Sequence, residues 1–307
     1  MKKRILVLLG VSMAGLSFAN FKFEGVGARS LGMAGAFTAI SDDASCLYYN
    51  PAGLLRVEDR EEMYMYSQKL NELTYQYVGL VWKNTGFSYL NQSGNLQKAE
   101  TQWGDKAGES VYAISYARKL QGKIGAGASI KILQYTNERA SDSGFGFDCG
   151  LLYSPEIKED LSLGFSIRNL FTKIQDQNID PVVSGGIAIR CNPRLFWQGL
   201  RNDGFSCAYS EGFRRKSFFE EEKMPFLISL DLYNKKDNND KKKLGYSLGF
   251  EHKAFDILLF RFGFNNGDIT AGIGLSHDKW RLDYAYSRKD LIEENVNNHY
   301  LSLSMSF

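Results

Sequence analysis

The charged side chains able to pair with one another in this chain fall into two groups. Arg29, Asp42 and Asp43 stand in a stretch from Gly25 to Leu54 that is otherwise dominated by small and apolar residues. Lys123, Lys131, Asp148, Arg168, Glu251, Arg261, Arg281 and Asp283 recur on the small, polar side of alternating segments further along. Charges withdrawn from water need opposite partners. The second group therefore either sets selectivity for a passing solute or holds the first group in place, and a filled interior favours holding. Catalytic chemistry is poorly served. No Ser/His/Asp set, paired carboxylates or phosphate loop stands out, and Gly25-x-Gly27 does not continue into a dinucleotide fingerprint. His252, His277 and His299 are scattered, and no Cys/His spacing suits a metal. The expectation is a non-enzyme with no cofactor and no metal.

The elements that must position these charges read as strands. Ile124, Ala126, Ala128, Ile130 and Ile132 alternate with Lys123, Gly125, Gly127, Ser129 and Lys131. The same period of two runs through Leu161–Arg168, Leu244–Glu251, Leu258–Asn265 and Trp280–Ser287. About fourteen such strands are expected, at 60–69, 72–83, 85–92, 109–120, 122–135, 143–154, 160–170, 182–190, 224–233, 243–252, 255–265, 268–276, 279–288 and 297–307. Tight turns separate several of them, as at Lys83-Asn84, Gln121-Gly122 and Asn266-Gly267. One face of each strand is large and apolar. In a soluble sandwich that face meets a second sheet; in a membrane barrel it meets lipid while the polar face lines the lumen.

Composition and the two chain ends favour the barrel. Hydrophobic residues make up 44% of the 307, yet mean hydropathy is −0.30, which excludes a helical membrane protein. Aromatics reach 14% and there are only 5 prolines, as continuous sheet requires. The net charge of +2 gives no reason to expect a nucleic-acid partner. Lys2, Lys3 and Arg4 precede an apolar run from Ile5 to Leu16, and Ser17-Phe18-Ala19 supplies small residues at the cleavage positions. A signal peptide over 1–19, cut after Ala19, is expected. At the other end Leu301, Leu303, Met305 and Phe307 alternate with serines and the chain stops on an aromatic. That pattern resembles the signal read by the outer-membrane barrel-assembly machinery.

The segment 20–58 breaks the strand pattern. Its small residues let backbone approach backbone. Asp43 is placed to cap a short helix through Tyr48, and Asn50 to cap another with Pro51 at its first position. A compact segment of this kind fits inside a barrel, where Arg29, Asp42 and Asp43 would pair with lumen charges. The fold class is thus all-β: a transmembrane antiparallel barrel over 59–307, with this segment as an N-terminal hatch in its lumen. Residues 191–223 form an irregular insertion, either an extra hairpin or a periplasmic excursion. The loop from Asn234 to Lys243 either attracts anions or is simply a solvated loop. Four cysteines remain: Cys46, Cys149, Cys191 and Cys207. Cys191 and Cys207 could close a loop within the insertion; the alternative is four free thiols. Cys149 shares the outer face with Phe145, Phe147 and Leu151, so it should not meet Cys46.

The run Gly25-x-x-Ala28-Arg29, with Gly32 and Gly35, then Ala39-Ile40-Ser41-Asp42-Asp43-Ala44-Ser45 and Tyr48-Tyr49-Asn50-Pro51-Ala52-Gly53-Leu54, resembles the N-terminal hatch of FadL-like outer-membrane proteins. It is most similar to the PorV/PorQ branch and to related uncharacterised spirochaete outer-membrane proteins. The motif covers about 30 residues; the strand pattern and the terminal Phe307 extend the likeness less specifically. The resemblance implies a fourteen-stranded barrel in the outer membrane, plugged by this hatch. It implies two roles from different classes. FadL-type members carry long-chain fatty acids and other hydrophobic small molecules inward. PorV-like members act through protein interaction, as shuttles, scaffolds or surface antigens engaging a periplasmic or secreted protein. The short outer loops at Gln68–Asn71 and Asn265–Asp268 depart from the fatty-acid transporters.

Overall fold

The computed structural model describes residues 23–57, 60–69, 73–94, 107–137, 141–155, 161–174, 177–191, 226–236, 242–254, 257–290 and 295–307. The strands are β1 (Arg60–Lys69), β2 (Leu73–Trp82), β3 (Thr85–Gly94), β4 (Ala107–Lys119), β5 (Ile124–Asn137), β6 (Ser141–Tyr153), β7 (Leu161–Ile174), β8 (Gln177–Asn178), β9 (Val182–Cys191), β10 (Phe226–Lys236), β11 (Lys242–Ala254), β12 (Leu258–Asn265), β13 (Asp268–His277), β14 (Trp280–Asp290) and β15 (Asn295–Ser306). Each pairs antiparallel with its chain neighbour, β7 passes directly to β9, and β15 returns to β1 through Glu61↔Ser306 to Gln68↔His299. Closing the ring this way leaves no sheet edge. The two-residue β8 is only a ribbon on the end of β7, so fourteen strands make the wall. All fourteen expected strands are present.

Alternation does what the sequence pattern required. Trp82, Ile114, Phe145, Phe147, Phe260, Phe262, Ile273, Leu282 and Leu301 all face outward and are exposed. An apolar surface of this extent is untenable in water and suited to hydrocarbon. Trp82, Tyr116, Tyr153, Trp280 and Phe307 ring the end of the barrel where the chain closes, the place where aromatics girdle a bilayer interface. Tight turns confirm the local reading: Asn266 and Gly267 both take positive φ, 49° and 111°, as a two-residue hairpin of the mirror-image type needs. The inner face is serine, glycine and charge. Lys123 is a correction. It was expected inside but sits exposed in the turn before β5, because the strand starts only at Ile124.

β7 departs from the regular ladder. Its register against β6 shifts between Phe145 and Phe147 and again between Phe147 and Cys149. Asn169 and Phe171 take positive φ, 60° and 50°. Past Arg168 the strand no longer pairs with β9. The irregularity is held from inside: Lys131 Nζ lies 2.7 Å from Asp148 Oδ1, which also accepts from the Asn169 amide at 2.7 Å. Phe171 is thrown outward and Ile174 inward.

Residues 25–57 contain two short helices, α1 (Ala28–Gly32) and α2 (Cys46–Tyr49), and a 3-10 turn at Pro51–Leu55. Nearly all of this segment is buried. Its apolar side chains, among them Val26, Met33, Phe37, Leu47 and Leu54, form one core with Met63, Met65, Tyr75, Tyr77, Leu90 and Tyr300 of the strands. The N-terminal residues 1–22 and the insertion 192–225, including Cys207, lie outside the described residues. The expected signal peptide and disulfide therefore stay expectations. Cys191 is buried at the end of β9. Cys149 is on the outer face as expected, away from the buried Cys46.

Candidate functional site

The segment meets the wall on every side through polar groups that strand alternation aims inward. Arg29 grips Glu251 of β11 with two bonds, Nε to Oε2 at 2.8 Å and Nη2 to Oε1 at 2.7 Å. Its Nη1 reaches Asp42 at 2.6 Å and Asp43 at 3.1 Å. Each acid has a second arginine from the wall. Asp42 takes Arg190 at 2.8 Å, Asp43 takes Arg281 at 2.9 Å, and Glu251 takes Arg261 at 2.6 Å. Asp283 joins Arg261 and Arg281 from β14. Burial works against the charge on Arg29, but Asp42 and Glu251, with Asp43, hold its pKa well above the ordinary arginine value. Bidentate, shared pairing of this kind is how a low-dielectric interior accommodates many charges. The holding role expected of the inward charges fits this geometry for Arg261, Arg281, Glu251 and Asp283; Lys131 and Asp148 hold β7 instead.

Backbone bonds complete the seating. Asp231 Oδ2 of β10 accepts from the amides of Phe37 and Thr38 at 2.9 and 2.8 Å. Tyr75 donates to the Gly25 carbonyl at 2.7 Å and Tyr77 to the Ala44 carbonyl at 2.8 Å. Asn50 caps the turn as expected, its Oδ1 accepting from the Ala52 amide at 3.2 Å, and its Nδ2 also donates to Leu151 of β6 at 3.1 Å. Pro51 opens that turn. The cap of α2 is a correction: Ser45 occupies the position, while Asp43 turns to bind the Ser45 amide at 3.0 Å and the two arginines. The two oxygens of Asp43 divide the work, Oδ1 accepting from the Ser45 amide and Oδ2 from Arg29 and Arg281. Gly32 and Gly53 are needed for close approach. A Cβ at Gly32 would lie 3.2 Å from the Gly272 backbone, and one at Gly53 would overlap the Ser41 carbonyl. Gly35 turns the chain back with φ 76°, its amide donating to Ser30. The terminal residues take their expected places: Leu301 and Leu303 face outward, Met305 is partly buried, and Phe307 stacks under Arg60 at 4.6 Å while its amide bonds the Arg60 carbonyl.

On the side of the segment away from the chain ends, the lumen is lined differently. Ala107, Leu133, Tyr135 and Ile174 form a small apolar cluster, with Phe23, Val111 and Ile179 partly buried against it. Tyr48 and Arg168 are also only half-buried there, and Glu24 is exposed, its carboxylate held by Tyr300 at 2.7 Å. Tyr48 ties this lining to the segment by donating to the Phe23 carbonyl at 2.9 Å. Ala107, Leu133, Tyr135 and Ile174 are themselves buried, so the accessible part of this lining is Phe23, Val111 and Ile179. Apolar side chains beside a few fixed polar groups are the usual make-up of a small-molecule site. Reading the sequence did not find it. Phe23, Val111, Tyr135 and Ile174 come from four distant stretches, and Ile174 turns inward only because β7 bulges. Asp231, Arg190 and Tyr48 were missed too, although inward alternation on β9 and β10 marks the first two.

No family model and no curated protein sequence matches the chain. Solved structures do. The CymD monoaromatic hydrocarbon channel is 14% identical with a TM-score of 0.59, covering 94% of this chain and 99% of that one. The toluene transporter TodX of P. putida is 11% identical with a TM-score of 0.60, covering 92% and 99%. A Pseudomonas aeruginosa FadL homologue is 10% identical with a TM-score of 0.51, covering 93% and 99%. At such identities the likeness is one of architecture: this chain has the fold of the FadL-type hydrocarbon transporters, from its first strand to its last.

Proposed function

We propose that the protein is an outer-membrane channel for hydrophobic small molecules, with residues 20–58 acting as a hatch in the lumen. The observation that carries the reading is the pairing of two features along one axis. An arginine–carboxylate network fixes the N-terminal segment across the barrel, and a small apolar cluster, accessible only at Phe23, Val111 and Ile179, lies just beyond it. An apolar molecule entering from that side meets Phe23, Val111 and Ile179, and its onward passage depends on the hatch. The hydrocarbon transport named for CymD and TodX supports the same substrate class. The terminal Phe307 and its alternating strand are read as the assembly signal, and surrounding lipid as the partner of the outer face.

The second reading, a protein-interaction role of the PorV/PorQ kind, rests on the Gly25–Leu54 motif. The solved neighbours do not favour that branch. Proteoliposomes separate the two. The channel reading expects faster entry of an apolar fluorescent dye than into protein-free vesicles, with a polar solute of similar size excluded. Equal dye entry with and without protein, together with recovery of a defined secreted partner in pulldown, sinks the channel reading.

A further inference from the structure

At the end of the barrel where the chain closes, each outward aromatic has a cation beside it on the turn side. Lys83 follows Trp82, and Lys279 precedes Trp280. Arg118 lies past Tyr116 on the same outward face of β4, with Lys119 next to it. Lys123 is held beside Tyr153, its carbonyl accepting from the Ser154 amide at 3.4 Å. Arg60 lies over the Phe307 ring. Backbone contacts join these places into one arc. Ser306 donates to the Lys279 carbonyl at 2.9 Å, Phe307 to that of Arg60 at 3.0 Å and Ala117 to that of Asn84 at 2.8 Å, while Arg60 pairs with Trp82 across β1 and β2. Lys83, Arg118, Lys119, Lys123 and Lys279 are exposed, and among the described residues none has a carboxylate in ion-pair contact. Against them stand Glu62, already paired with Arg60 at 2.6 Å, and Asp278. At the other end of β2, β3 and β5 the outward positions are neutral: Thr74, Gln76, Asn91, Ser93, Gln134 and Thr136.

We infer that this arc is a binding surface for the headgroups of anionic phospholipids in the periplasmic leaflet, the side on which a barrel of this kind has its short turns. The rings of Trp82, Tyr116, Tyr153 and Trp280 set the depth, because amphipathic aromatics rest at the headgroup level. The adjoining lysines run their stems along the hydrocarbon boundary and place their ammonium groups among the phosphates. A zwitterionic headgroup carries its own cation beside the phosphate. A headgroup of net negative charge does not, so cations without protein partners select it. The inference rests on the reading that the outer face lies in lipid, and goes beyond it by assigning the headgroup charge. It does not depend on what passes the lumen. An anionic lipid beside one such cation is favoured about 5-fold over a zwitterionic one.

The test follows tryptophan emission from the full-length barrel in phosphatidylcholine vesicles, in a W103F/W197F background that leaves Trp82 and Trp280 as reporters. Phosphatidylglycerol or phosphatidylcholine with brominated acyl chains is included at equal mole fraction. The expected result is stronger quenching by the brominated phosphatidylglycerol, matching a local excess of about 5-fold that shrinks as salt is raised. K83Q/R118Q/K119Q/K123Q/K279Q should make the two lipids equal and leave quenching by phosphatidylcholine as it was. K83R/K119R/K123R/K279R should keep the excess. Heat-modifiable migration on gels confirms that each variant is a folded barrel. Equal quenching by the two lipids before the charge changes, or an excess that survives the glutamine variant, overturns the inference while the lipid-facing reading stands. Equal quenching combined with retention on a polyglutamate resin, lost in the glutamine variant, gives the arc to an acidic protein instead. If neither brominated lipid quenches, the outer face does not lie in lipid and both readings fail.

Discussion

Replacing Arg29 by methionine removes one guanidinium from three carboxylates at once. Breaking a buried ion pair from one side costs about 3–5 kcal/mol because an uncompensated charge is left behind. Here each acid keeps a second arginine: Arg190 for Asp42, Arg281 for Asp43 and Arg261 for Glu251. The lower end of the range therefore applies, about 3 kcal/mol, equivalent to about 100-fold in the ratio of seated to unseated segment. The barrel wall should not feel it, since no strand pairing involves Arg29. Amide hydrogen exchange on the protein in micelles reads the difference. Amides hydrogen-bonded within the segment, such as those of Leu31, Ala34, Ser41 and Asn50, should lose about 100-fold in protection, while β12 to β14 keep theirs. A second change, Glu251→Gln on the same chain, should give back part of the loss by removing one of the abandoned charges. Unchanged protection of the segment, or a loss shared equally by the wall, refutes the reasoning that these ion pairs seat the segment.

Two further outcomes follow from the same geometry. Gly127→Ala places a methyl on the backbone of Pro51 and Ala52, whereas Gly185→Ala meets nothing within 4 Å; the first should raise exchange at 50–57 and the second should leave it as in wild type. Asp231→Ala leaves the buried amide of Thr38 without its acceptor and that of Phe37 with only the Gly35 carbonyl, a cost of about 1–3 kcal/mol that should appear as faster exchange, most of all at Thr38, and not in β10 itself.

The wall was legible in the sequence because a period of two is a local signal, readable wherever one face is apolar. Leu258–Asn265 and Leu301–Phe307 announce their inner and outer faces residue by residue. The cap at Asn50 and the ion-pairing partners of Arg29, Asp42 and Asp43 were legible as types: small residues around a few charges leave those charges no other use. Which wall residue meets which was not, since the partners of Asp43 and Asp42 lie 238 and 148 residues away and only barrel closure sets their heights. The bulge in β7 left a trace, because Leu170, Phe171 and Thr172 break the alternation that Leu161–Arg168 maintains. No local rule turns that break into positive φ at Asn169 and Phe171, which depend on Lys131 and Asp148 of neighbouring strands. The apolar lining inherits that limit, as Ile174 belongs to it only through the bulge.

The central claim is that residues 23–57 seal the lumen, and single-channel conductance in planar bilayers tests it most directly. The intact barrel should pass almost no ionic current, and a variant lacking Phe23–Val57 should open a steady pore. Equal currents from the two would contradict the account, because a lumen that conducts ions past Arg29 and Glu251 is not closed by them.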